Sequence, residues 1–154
     1  NSYGLEASGV LKLSAAWQLH GSLGLLESTI DNWSVRPAAE GRNLAHAPPY
    51  TLNLGFTWTG VQGWFLRTAL NAVGAYYFDI SHDQKSDPYE VVNLRLGRRW
   101  SDWEVSVWGR NIFDRTYATR GFYFVNEPPY TQDPRLYTRF GEPRLIGLTV
   151  NYHY

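Results

Sequence analysis

The chain of 154 residues has no cysteine, which excludes a disulfide scaffold and a thiolate metal site. It has no run of eighteen apolar residues, so it offers no transmembrane helix. An excess of one charge is missing too. Fourteen basic residues balance 14 acidic ones, which leaves no net field to draw in nucleic acid or an anionic surface. There is no methionine, hence no initiating one, and the first residues carry no signal-peptide pattern. Asn1 already stands in patterned sequence, so the chain is expected to be a piece of a longer protein.

Aromatic residues are abundant: 16% of the chain, with 7 Trp and 11 Tyr. Such content suits either a sugar-binding surface or the aromatic girdles of a membrane barrel. The patterning separates the two. Successive side chains of a strand point to opposite faces, so a half-apolar strand alternates. Alternation of this kind predicts seven strands, near 3–13, 17–30, 50–59, 64–77, 89–99, 103–113 and 143–154. The cleanest sets Tyr50, Leu52, Leu54, Phe56 and Trp58 against Thr51, Asn53, Gly55, Thr57 and Thr59. On the same reading Tyr76 and Phe113 belong to apolar stripes. Most segments reach the roughly 9–11 residues that cross a bilayer at a tilt. No segment shows a helical stripe, so helix content should be negligible.

The connections 14–16, 60–63 and 100–102 are tight, whereas 31–47, 78–88 and 114–142 are long and rich in Pro, Gly and Asp. Short and long alternate strictly, as short periplasmic turns and long extracellular loops do in an outer-membrane barrel. Lys12, Arg67, Arg95, Glu104 and Arg110 all fall opposite the large apolar residues. A Lys or Arg on the lipid face at mid-membrane would cost about 2–4 kcal/mol. Trp17, Trp58, Trp64, Trp100 and Trp103 gather beside the tight turns, as a girdle would. The chain ends on an alternating strand whose one face carries Val150, Tyr152 and Tyr154. The expected fold is therefore all-β: an antiparallel up-and-down transmembrane barrel segment. Seven is odd and such barrels are even-stranded, so as a fragment it should form an open, curved sheet with residues 3–13 and 142–154 as unpaired edges.

Four stretches together resemble TonB-dependent outer-membrane receptors. They are Gly41-Arg-Asn-Leu-Ala-His-Ala-Pro-Pro-Tyr-Thr-Leu-Asn-Leu-Gly55, Val92-Asn93-Leu94-Arg95, Asn111-Ile112-Phe113-Asp114-Arg115-Thr116-Tyr117, and Gly141-Glu142-Pro143-Arg144 with the strand that follows. The resemblance implies that residues 1–154 supply the last seven of about twenty-two strands around an N-terminal plug. It implies TonB-dependent import of a scarce solute, with a ferric siderophore the expected cargo. The implied partners are the chain's own plug, TonB through the absent N-terminal region, outer-membrane lipid and the barrel-assembly machinery. Val150, Tyr152 and Tyr154 would carry the assembly signal. In one respect the sequence departs: where the family's last strand has Gly five positions before the end, this chain has Thr149, with Gly147 two residues earlier.

Catalytic and cofactor chemistry leave little trace. His20, His46, His82 and His153 lack the spacing of metal ligands, and no Gly-x-Ser-x-Gly elbow or phosphate loop is present. A non-enzymatic, cofactor-free binder is expected. Arg120, Tyr123, Tyr130, Arg135 and Tyr137 crowd the segment 114–142, where Arg beside aromatic rings suits an anionic, partly aromatic ligand. Arg67 and Asn71 would join them from the lumen, and Arg95 and Arg110 are expected to face the plug. A soluble sugar-binding module and another kind of outer-membrane channel are the alternative readings.

Overall fold

The computed structural model of the protein describes residues 1–125, 129 and 133–154. Among the described residues nine strands form: β1 Ser2–Lys12, β2 Trp17–Ser28, β3 Tyr50–Thr59, β4 Trp64–Val73, β5 Tyr89–Trp100, β6 Trp103–Arg110, β7 Ala118–Phe124, β8 Arg135–Phe140 and β9 Leu145–Tyr152. Helix among these residues is confined to two short 3-10 turns, Pro37–Ala39 and Val61–Gly63. Seven strands make one antiparallel sheet in the order β1-β2-β3-β4-β5-β6-β9, and β7 pairs with β8 as a separate hairpin. Strands β1 and β9 are its edges, as expected.

Register turns seven separate stripes into two continuous faces, because residues paired across an antiparallel ladder lie on the same side. Leu5 pairs with Leu25, and Leu25 with Tyr50. Leu54 pairs with Leu70, and Leu70 with Val92. Further along, Leu96 meets Val107 and Val107 meets Leu148. Among the described residues this apolar face has no second layer. Leu5 is 64% exposed, Leu54 41% and Leu148 64%. Full burial of such a side chain is worth about 1.5–3 kcal/mol, of which these forgo roughly half. A face of this size is matched to a hydrocarbon phase.

At the tight-turn end the apolar face finishes in rings. Trp17 pairs with Trp58, Trp100 with Trp103, and Trp103 packs on Tyr152 at 4.8 Å between centroids. The opposite face is polar but not bare. Phe65 is buried there, with Gly97 beneath it, where a Cβ would come within 2.4 Å of the ring. Trp108 lies across Gly147 in the same way, at 2.2 Å, and donates its indole N–H to Thr149 Oγ1 at 3.0 Å. Gly147 and Thr149 thus form one seat for Trp108, which accounts for the displaced glycine of the last strand.

Three expectations need correction. Strand β4 stops at Val73, and Tyr76 is buried among the long connections instead of facing outward. Its hydroxyl donates to the Thr119 carbonyl at 3.0 Å, and its ring meets Phe78 edge-on. Strand β6 stops at Arg110, and Phe113 sits in the following turn, 75% exposed. Segment 114–142 contains the β7–β8 hairpin, which broken alternation and a register shift between Ala118 and Arg120 hide from a period-two reading.

Candidate functional site

Two regions hold the chemistry. The first is the polar face of the sheet, where a concavity of about 590 Å³ is lined by His20, Arg67, Asn93, Arg95, Trp108 and Arg110 among others. Period-two geometry on β2, β4, β5 and β6 turns all of these to one side. Glu104 is the acid that organises the cations. Arg95 donates to its carboxylate at 2.9 Å and to Ser106 Oγ at 2.9 Å, while Arg99 binds the other carboxylate oxygen. Arg67, Arg95 and Arg99 also surround the buried Phe65 ring, their guanidinium carbons 5.6, 5.9 and 4.7 Å from its centroid. Arg110 reaches Glu142 at 3.3 Å. Arg67 has no ion pair among the described residues. One acid against three cations around Phe65 leaves a positive surface.

The second region lies beyond the long-connection ends of the strands. Arg42 donates to the backbone carbonyls of Ile80 and His82, pairs with Asp83 at 3.3 Å and lies over Tyr77 at 4.3 Å. His82 stacks on Tyr123 with centroids 3.6 Å apart and bonds Asp79 through Nδ1 at 2.7 Å. These contacts dock connection 74–88 onto 29–49 and onto the hairpin. Burial opposes ionisation of Asp79. Hydrogen bonds from the His82 ring and from the Ser81 and His82 amides outweigh it and hold the carboxyl below its usual range. Tyr123 is pushed the other way, its phenol raised by burial and then by the nearby Asp79 and Asp83.

The hairpin separates the predicted residues. Register places Arg120, Phe122, Phe124, Arg135, Tyr137 and Arg139 on one face. Phe124 stacks on Tyr137 at 4.3 Å, and Arg120 lies over Phe122 at 5.6 Å. Tyr123 is on the other face, against His82. Tyr130 lies outside the described residues. Arg67, Arg95 and Arg110 share the concavity, and Asn71 stands opposite Asn53 on the same face. Among the described residues no hydrogen bond, ion pair or ring contact joins the hairpin set to Arg67 or Asn71. Val150 faces Val105, Tyr152 covers Trp103, and Tyr154 is fully exposed.

Reading the sequence by faces missed Asn111 as a structural centre. It is 1% exposed at φ 47°. Its side-chain amide donates to the Arg115 carbonyl at 2.9 Å and the Glu142 carbonyl at 3.0 Å, while its Oδ1 accepts the Arg115 amide at 2.9 Å. Asp114 Oδ1 accepts the Arg144 amide at 2.9 Å. The Asn111–Tyr117 and Gly141–Arg144 stretches are thus two halves of one joint, tying the exit of β6 to the start of β9.

A family model described as TonB dependent receptor-like, beta-barrel matches residues 1–112. Among solved structures, the ferric yersiniabactin uptake receptor FyuA of Yersinia pestis superposes with a TM-score of 0.80 at 19% identity, covering 98% of this chain and 23% of that one. The siderophore receptor PiuA of Acinetobacter baumannii gives 0.83 at 15% identity, covering 99% and 22%. BauA, the ferric preacinetobactin receptor of the same organism, gives 0.70 at 19% identity, covering 98% and 22%. At these identities the likeness is one of fold. The chain spans under a quarter of the length of each of these three structures.

Proposed function

Because the chain belongs to the TonB-dependent receptor β-barrel family, we propose that it forms the C-terminal part of the barrel of an outer-membrane receptor that imports a ferric siderophore. The observation that carries this reading is an uncovered apolar face on a sheet whose turns are tight at one end and long at the other. In the complete receptor about fifteen more strands close the cylinder and a plug fills it. Residues 1–154 are one stretch of that barrel. TonB engages the receptor through sequence upstream of this chain. Val150, Tyr152 and Tyr154 serve the barrel-assembly machinery from the outer face.

Arg95 and Arg110 face the plug, whose carboxylates complete the charge balance around Glu104. Arg120, Arg135 and Tyr137 on the hairpin, with Tyr123 and Tyr130 of the same segment, meet the solute from outside. Arg67 and Asn71 stand deeper on its route. The similar structures are a siderophore receptor, a ferric yersiniabactin uptake receptor and a ferric preacinetobactin receptor, and cationic groups beside aromatic rings suit ferric chelates. No enzymatic step is assigned.

Uptake of radiolabelled ferric siderophores by cells carrying the complete receptor tests this. Uptake is expected to require TonB and to fall when Arg120 and Arg135 are replaced by Gln. TonB-independent flux would instead support a passive channel. Thiol labelling of whole cells should reach a cysteine at Val35 and not one at Ser101, and the reverse pattern would invert the orientation.

A further inference from the structure

Among strand residues of the apolar face, Arg98 is the sole cation. Its register partners are Trp64 on β4 and Val105 on β6, which places its Cα on the lipid-facing side at the tight-turn end. The charged residues Glu27 and Glu90 share this face but stand at the other end. A guanidinium at mid-membrane would be costly, yet at the interface the cost falls to about 0–1 kcal/mol. Location therefore explains why Arg98 is tolerated, though not what it binds.

The geometry around Arg98 is that of an anion seat on an apolar wall. The guanidinium carbon lies 5.7 Å from the Trp64 ring centroid and 5.9 Å from that of Trp100. Nε donates to the Gln62 carbonyl in the adjoining turn at 3.1 Å, which draws the side chain toward the rim. Among the described residues neither Nη group has a protein acceptor. The acid of the neighbouring turn, Asp102, accepts from Ser101 instead. Below the guanidinium along the strands run Leu66, Leu94 and Leu96, with Val105 and Val107 beside them.

We propose that Arg98, flanked by Trp64 and Trp100, is a binding site for the phosphate of a phospholipid in the leaflet on the tight-turn side. The assignment rests on the outer-membrane reading above. Two free Nη groups match two phosphate oxygens, and the leucine band beneath accommodates acyl chains. A soluble anion would use the first feature and leave the second idle. The occupant is therefore a diacyl lipid. The two Trp rings lie within cation–π range of the guanidinium.

Native mass spectrometry of the complete, delipidated receptor titrated with dipalmitoyl phosphatidylglycerol tests the assignment. Arg98→Gln keeps a donor for the Gln62 carbonyl and removes the charge. It is expected to weaken the tightest lipid-binding step about fivefold, with Arg98→Lys between it and wild type. Unchanged lipid binding in Arg98→Gln would overturn the proposal and leave Arg98 as a turn clamp. Displacement of the lipid by millimolar inorganic phosphate would overturn it also. Independently of any variant, phosphatidylglycerol with a photoreactive headgroup should crosslink to the 98–103 peptide in wild type, and labelling confined elsewhere contradicts the site. Failure of the wild-type receptor to insert into lipid vesicles would defeat the outer-membrane reading itself, and the lipid site with it.

Discussion

Single residues here act mostly by satisfying other chain segments. Asn111 serves three backbone groups at a left-handed position that Asn tolerates better than most residues. Asn111→Ala leaves two carbonyls and one amide without their partner. Each buried loss costs about 1–3 kcal/mol, so a total of about 3 kcal/mol is expected after partial rehydration. The urea midpoint of the folded receptor in detergent measures it, and Asn111→Asp, which turns a carboxylate oxygen toward those two carbonyls, should cost at least as much. Asp79 carries a pH dependence of defined sign. Its folded pKa is depressed, so its contribution is present above the unfolded value, about 3.9, and is lost as pH falls through the lower folded value. Protection of the Ser81 and His82 amides from hydrogen exchange, taken relative to the unfolded chain at each pH, should therefore hold at mildly acidic pH and fall only below about pH 4. A loss of protection confined to a higher pH would remove the carboxylate as its cause. The sequence shows Asn111 inside a recognisable stretch, but nothing in its spacing tells that the partner is Glu142.

For the strands, side matters more than composition. Leu54, near the middle of β3, stands on the uncovered face between Gly21 and Leu70. Thr57, three residues on, faces the concavity beside Arg67. Leu54→Arg should destabilise the receptor in a bilayer by about 2–4 kcal/mol, whereas Thr57→Arg should cost far less. Folded fraction on unheated gels after refolding into vesicles separates the two, and equal losses would contradict the assignment of faces. These faces were legible because alternation is local. Strand ends were not legible to the same degree. Tyr76 and Phe113 continue the alternation on paper, yet the backbone leaves the sheet before each, and packing of the connections decides where their rings go. The β7–β8 hairpin was illegible for a related reason: its strands are short and Arg interrupts both.

As a whole molecule the chain is a sheet with two open edges and an uncovered apolar face. Unpaired β1 and β9 backbone groups are templates for pairing with other chains. Expressed without upstream sequence, residues 1–154 should aggregate, and light scattering during detergent refolding checks this against the complete receptor. A monodisperse, sheet-rich fragment in plain buffer would show that the apolar face finds its own cover. The polar face points the same way: cations around Glu104 and a concavity of about 590 Å³ line a surface that suits the plug contact proposed above.

From the sequence alone came the side each strand residue occupies, the alternation of tight and long connections, and the family these features imply. Those properties belong to one strand or one turn at a time, and the alternation of side chains writes them into adjacent positions. Only the tertiary structure decided that Trp108 rests on Gly147, that Glu104 joins Arg95 to Arg99, that Tyr123 stacks on His82, and that Arg98 stands between two tryptophans at the rim. Each depends on inter-strand register or on the packing of long connections, and both are set by contacts between residues distant in the chain.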